Sequence, residues 1–226
     1  MAEYFLRKEN KYLLDQSTFN SLLSKLDDYL VHDKFNKSHL LSVYFDSDDY
    51  RLITKSIEKP EYKEKLRIRS YAPPLDDEKI YVELKKKFYG VVYKRRTKAK
   101  YQDVLKDIDD CKFDDDLVGK EIVSLSNRYG GLKPKVFISC DREYFVGKQD
   151  SNLRITFDSN LMYRTKNVYL NHADNDVKLD NSIIMEIKAA GAMPLWLVRI
   201  LDELKIFKTS YSKVGNAFLK GEINYV

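Results

Sequence analysis

The chain of 226 residues is 43% hydrophobic and 13% aromatic, which excludes the disordered class and predicts a single domain over 1–226 with a substantial core. Its net charge of +5, from 40 basic and 35 acidic residues, is too small to imply a nucleic-acid binder, and two cysteines, Cys111 and Cys140, are too few to staple a disulfide scaffold. No apolar run approaches the roughly 18 residues of a membrane span, and MAEYFLRKEN lacks a signal-peptide core, so the expectation is a cytoplasmic protein, peripheral to a membrane only through a membrane-protein partner.

EYFLRKENKYLL alternates and predicts a first strand, with Phe5, Arg7, Glu9 and Lys11 on one face. STFNSLLSKLDDYL (17–30) spaces Phe19, Leu22, Leu23, Leu26 and Leu30 as a helix with Ser17 as N-cap. LLSVYFD (40–46) reads as a strand and DDYRLITKSIE (48–58) as a short helix. Three strands follow, KLRIRSY, KIYVELKKK and GVVYKRRT, punctuated by Pro73-Pro74 and Gly90. AKYQDVLKDI (99–108) and DDLVGKEIVSLSNRY (115–129) are helical, the second ended by Gly130-Gly131. Strands resume with PKVFISCDREYF (134–145), NLRITFD (152–158), VYL (168–170) and SIIMEIKA (182–189). A helix from Pro194 carries Leu197, Ile200, Leu201 and Leu204, and SKVGNAFL closes the chain as another. About eight strands with helices at the start, middle and end make an α+β chain dominated by antiparallel sheet.

The strands share a habit. Lys65, Arg67 and Arg69 alternate with Leu66 and Ile68, Glu83 and Lys85 with Val82 and Leu84, Arg154 with Leu153 and Ile155, and Glu186 and Lys188 with Met185 and Ile187. Lys94 and Arg142 continue the ionic side on their strands. A solvated outer face accounts for any one such strand. For the set, Arg recurs in the same phase and Glu stands singly beside Lys as E-x-K in Glu9–Lys11, Glu83–Lys85 and Glu186–Lys188. If helices cover the aliphatic faces, the sheet can close into a barrel with a polar interior. Nine cations (Arg7, Lys11, Arg67, Arg69, Lys85, Lys94, Arg142, Arg154, Lys188) against three acids (Glu9, Glu83, Glu186) leave that face at +6, compared with +5 for the whole chain. Cations so confined repel unless a polyanion fills the space, and Arg and Lys match phosphate. The sparse Glu residues then read as ligands for Mg²⁺ or Mn²⁺, hard cations that bind carboxylate and phosphate oxygens together.

In order along the chain, R-x-E-x-K-Y at Arg7 to Tyr12, LRIRSY, YVELKKK, VYKRR, SCDREYF, LRITFD, MEIKA and SYSKVG resemble the VTC domain, the polyphosphate-polymerase domain of the CYTH-like triphosphate tunnel metalloenzyme superfamily, from about residue 3 to 220. The resemblance implies a closed antiparallel β-barrel tunnel of about eight strands with a polar lumen, flanked by helices. It implies that Lys11, Arg67, Arg69, Lys85, Lys94, Arg142 and Arg154 bind ATP, triphosphate or polyphosphate, that Glu186 holds the metal, and that Lys213 adds a basic contact, with Lys188 a further lumen residue. Arg7 replaces the first Glu of the wider superfamily's E-x-E-x-K, which removes one potential metal ligand.

The implied activity is transfer of the ATP γ-phosphate onto a polyphosphate chain. A triphosphatase differs only in placing water as the acceptor, and a non-catalytic polyphosphate or nucleotide module would keep the cations without needing the metal. RNA binding through the basic strands and the 17 tyrosines lacks an aromatic recognition motif. His32, His39 and His172 sit apart from any catalytic or zinc spacing, and DNDVKLD (174–180) reads as an acidic loop without the glycine and terminal Glu of a calcium loop.

Overall fold

The structure, a computed structural model, describes residues 8–58, 60–172 and 175–223. Arg7, in the first motif, lies outside the described residues. Nine strands and six helices are present among the described residues. In chain order they are β1 (Lys8–Leu14), α1 (Gln16–Leu26), β2 (Leu30–Asp46), α2 (Arg51–Ile57), β3 (Tyr62–Ser70), β4 (Lys79–Phe88), β5 (Val91–Lys100), α3 (Tyr101–Lys106) and α4 (Asp116–Arg128). Then come β6 (Lys133–Gly147), β7 (Arg154–Arg164), β8 (Val177–Asp180), β9 (Ile183–Ala189), α5 (Leu195–Glu203) and α6 (Lys213–Ile223). Hydrogen bonding runs in the order β1-β9-β7-β6-β2-β3-β4-β5, with β8 on β7, and the registered pairs are antiparallel.

The α+β architecture is the expected one, but among the described residues hydrogen bonds do not close the sheet into a barrel: β1 and β5 are the ends of the order. Each end is occupied or protected locally. The Thr209 N–H donates to the Lys11 carbonyl at 2.8 Å, so part of the outer edge of β1 is taken. β5 carries exposed Lys94, Arg95 and Arg96 in succession, and such charge blunts a bare strand edge.

The chain divides into two compact units, each built from separated segments. The first comprises Met1–His39, Cys140–Leu161 and Asp180–Tyr211. Its core is the aliphatic side of β1, β7 and β9 (Tyr12, Leu14, Ile155, Phe157, Met185, Ile187) packed with Leu22 and Leu26 of α1 and Leu197, Ile200 and Leu201 of α5. Phe19 meets Phe157 edge-on at 5.0 Å between ring centroids. The second comprises Leu40–Ser139, Met162–Leu179 and Ser212–Val226. There Val43, Phe45, Leu66, Ile68, Val82 and Leu84 of β2, β3 and β4 pack with Val104 of α3 and Val118, Ile122 and Leu125 of α4. In both, the period-two alternation of the strands meets the stripe of an amphipathic helix, which is why the aliphatic faces are shut from water.

Four local expectations are corrected. The cap of α1 is Asp15, which accepts from the Thr18 N–H at 2.7 Å, and Ser17 instead donates its hydroxyl to Asp15 at 2.8 Å. Leu30 opens β2 and is not part of the helix. β2 starts ten residues earlier than its apolar pattern, because exposed cross-strand pairs support its first half: Lys37–Glu143 at 3.0 Å, His39–Asp141 at 2.7 Å and the Phe35–Tyr144 ring pair. VYL is not a strand. The Leu170 N–H is bonded to the Tyr101 hydroxyl at 2.7 Å and its side chain fills the core, while the strand forms in the segment read as an acidic loop, at β8. Gly130 and Gly131 do end α4, with φ of +75° and +98° that favour glycine. No helix among the described residues is long and apolar enough to cross a membrane.

Candidate functional site

The ionic faces of the strands form one cluster in each unit. In the second unit the register lines up residues in rows across strands. Tyr44 of β2, Arg67 of β3, Glu83 of β4 and Arg96 of β5 make one row, since Tyr44 pairs with Arg67, Arg67 with Glu83 and Glu83 with Arg96. Lys65, Lys85 and Lys94 make the next row, and Ser42, Arg69, Tyr81 and Lys98 the row on the other side. Directly opposed residues on an antiparallel pair share a face, so the rows put Lys, Arg and a single Glu together.

Glu83 is the centre of this cluster. It is buried, with the Arg67 guanidinium at 2.7 Å and 2.9 Å from Oε2, the Lys94 ammonium at 2.5 Å from Oε1, and Arg69 Nε at 4.0 Å from Oε2. Burial alone would raise its carboxyl, but Arg67, Arg69 and Lys94 outweigh burial and hold it well below the usual carboxylate range. Arg67 also donates to the Tyr44 hydroxyl at 3.0 Å, and Arg69 to the Ser42 hydroxyl at 3.4 Å. Burial opposes ionisation of Tyr44, yet the cations Arg67, Lys65, Arg69 and Lys213 bring its hydroxyl down to about 7. A phenol moved so far registers a strongly positive environment. Lys213 opens α6, whose first turn is capped by Ser212: its hydroxyl accepts from the Gly215 N–H at 3.1 Å and from the Lys65 ammonium at 2.9 Å. The stacking of Arg96 and Lys98 over the Tyr81 ring, at 4.6 Å and 4.9 Å, extends the cluster along β5.

In the first unit, β1, β9 and β7 supply the corresponding rows. Lys11 pairs with Glu186 and Glu186 with Thr156, while Glu9 pairs with Lys188 and Lys188 with Arg154. Glu186 is 7% exposed, with the Lys11 ammonium 3.0 Å from Oε1 and the Lys188 ammonium 3.7 Å from Oε2. Lys11 also donates to the Tyr211 carbonyl at 3.3 Å and lies 3.9 Å from Glu9. Arg142 grips the fully buried Asp158 with two bonds, of 2.5 Å and 2.6 Å. Burial would weaken the Arg142 cation, but Asp158 first and Glu186 second outweigh that and raise it well above its ordinary value. Arg154 is exposed on the same face and has no acidic partner among the described residues. The Thr156 hydroxyl is buried with no hydrogen-bond partner.

Of the residues singled out from the sequence, Arg67, Arg69, Glu83, Lys85, Lys94 and Lys213 fall in the second unit's cluster, and Glu9, Lys11, Arg142, Arg154, Glu186 and Lys188 in the first unit's. Glu83 is already engaged by three cations. Sequence reasoning missed Tyr44, Ser42, Ser212, Thr156 and Asp158. The available signal was phase: Ser42 and Tyr44 alternate with Val43 and Phe45, as Thr156 and Asp158 alternate with Ile155 and Phe157. Among the described residues, no three His, Cys, Asp or Glu side chains cluster as a cation site.

No curated protein matches the chain. Among solved structures, a candidate adenylate cyclase from Bacillus halodurans superposes with a TM-score of 0.58 at 17% identity, over 92% of this chain and 94% of that one. A second, from Vibrio parahaemolyticus, gives a TM-score of 0.45 at 10% identity, over 93% and 96%. The first likeness shows a shared fold. The profile of the VTC domain matches residues 6–220, nearly the whole length. The chain belongs to the VTC domain family.

Proposed function

We propose that the chain is a phosphotransferase of the polyphosphate-polymerase type, acting as one functional domain, which moves the γ-phosphate of ATP onto the end of a polyphosphate chain. The observation that carries this reading is the second unit's cluster, where Arg67, Arg69 and Lys94 hold one buried Glu83, while Arg67, Lys65, Arg69 and Lys213 depress the Tyr44 hydroxyl. A chain of phosphates suits a face so rich in arginine and lysine, since each residue of the polymer brings its own negative charge and its oxygens match both side chains. Arg67 and Arg69 are held in place by Glu83 and Ser42 before any substrate arrives, which is the preorganisation that phosphoryl transfer asks of a protein.

A divalent cation fits the first unit's cluster. Glu186 is a nearly buried carboxylate, and the orphaned Thr156 hydroxyl stands opposite it in register. Mg²⁺ and Mn²⁺ take few protein oxygens when substrate phosphates and water supply the rest. Glu186 and Thr156 would hold such an ion, which would supply positive charge for phosphate oxygens. Lys11, Lys188 and Arg154 are on the same face to bind phosphate oxygens, and Arg142 is fixed by Asp158.

The pure chain incubated with ATP and Mn²⁺ should give phosphate chains longer than three, resolved on a gel. Release of phosphate alone would replace the polymerase by a triphosphatase. If Glu186→Ala leaves both phosphate affinity and turnover unchanged, the metal-dependent reading fails. Retained affinity without any turnover in the unaltered chain would make it a binding module.

A further inference from the structure

Thr156 is 7% exposed, and its hydroxyl oxygen is shut from solvent without a hydrogen-bond partner. Valine has the same shape and no polar atom, so a purely structural position would be filled without leaving an unsatisfied group. The hydroxyl is therefore the feature to explain. Thr156 stands directly opposite Glu186 across β7 and β9. Side chains so paired share a face, with Cβ atoms about 4.5–5.5 Å apart.

We propose that Thr156 Oγ1 is a direct oxygen ligand of the divalent cation that Glu186 holds. The inference rests on the metal-dependent reading above and adds a neutral oxygen to it. Hard cations prefer oxygen donors. A carboxylate, a hydroxyl and phosphate oxygens together are a donor set that the Mg²⁺ sites of nucleotide-binding loops also use. In the structure Lys11 stands 3.0 Å from Glu186 Oε1, and a divalent cation on that oxygen would have to displace it. It has alternatives when the metal displaces it. The Tyr211 carbonyl is already within 3.3 Å and Glu9 within 3.9 Å, and an incoming phosphate is another acceptor. Lys188, at 3.7 Å from Oε2, is placed to do the same.

The test is calorimetric titration of Mn²⁺ into the full chain saturated with an ATP analogue that has an imido bridge between its β and γ phosphates, beside titration of that analogue without metal. Thr156→Val should weaken Mn²⁺ about tenfold, the lower end of what a lost metal-site interaction costs. Thr156→Ser should stay within about twofold. Metal-free binding of the analogue should be unchanged, and Thr156→Val should melt no lower than the parent because it loses no protein hydrogen bond. Unchanged Mn²⁺ affinity in Thr156→Val, with Glu186→Gln losing it, overturns the inference and leaves the metal reading standing. Weaker metal-free binding in Thr156→Val also overturns it, because the hydroxyl would then serve a phosphate oxygen. If Glu186→Gln keeps Mn²⁺, or the unaltered chain binds none, the metal reading itself falls.

Discussion

Tyr44 is the residue through which the second cluster can be read directly. Its hydroxyl sits at about 7 because burial, which would raise it, is outweighed by Arg67, Lys65, Arg69 and Lys213. A tyrosine whose folded pKa is depressed contributes stability that is complete above its unfolded pKa of about 10 and is lost as pH falls through about 7. A polyphosphate bound as proposed would bring negative charge to the same cations and return the proton to Tyr44. Tripolyphosphate binding should therefore take up a proton between about pH 7 and 10, seen as loss of phenolate absorbance, and affinity should decline over that window. Tyr44→Phe should abolish the absorbance change. The pair beneath it makes a second prediction. Arg67→Ala leaves a buried carboxylate without the guanidinium that contacts its Oε2 and should cost about 3 kcal/mol in chemical denaturation, the lower end for a broken buried ion pair because Lys94 and Arg69 remain. Glu83→Gln should cost at least as much, since it leaves Arg67, Arg69 and Lys94 together without their shared carboxylate.

Among the elements, those with both an apolar face and an ionic face were legible from alternation alone. β3, β4, β7 and β9 each bury aliphatic side chains in one of the two cores, so period-two patterning had a physical cause to report. The first half of β2 had none, because it is mostly exposed and held by cross-strand pairs such as His39–Asp141 and Lys37–Glu143. VYL failed in the opposite sense: Leu170 is buried and apolar, but its N–H goes to the Tyr101 hydroxyl, a contact 69 residues away that local sequence cannot announce. The cap of α1 was expected at Ser17, but the structure places it two residues earlier, at Asp15. Asp15→Ala should lower the Tm, whereas Ser17→Ala, which removes only the hydroxyl donor to Asp15, should lower it by well under half as much. In the core of the second unit, Ile68→Ala should cost about 3 kcal/mol, since the side chain is wholly buried among β2, β4 and helical residues.

For the molecule as a whole, the sequence disclosed which residues carry charge but not how that charge is spent. Arg67, Arg69 and Arg142 were legible as cations, yet their commitments to Glu83, Ser42 and Asp158 depend on register and on rotamers. Lys85 and Arg154 stay on the ionic faces as expected, and Glu83 proves to be the anchor for three cations. The central claim is that these faces bind a chain of phosphates. A ligand that binds only the folded state at about 100 times its Kd adds roughly 2.7 kcal/mol, which for a chain of this size corresponds to a rise in Tm of roughly 5–10 °C. The most direct measurement is the thermal shift given by tripolyphosphate in the unaltered chain and in Arg67→Ala/Arg69→Ala, each against its own ligand-free Tm. The account predicts a shift of that size, reduced by added salt and nearly absent in the double variant; an equal shift in both chains, or none in either, would contradict it.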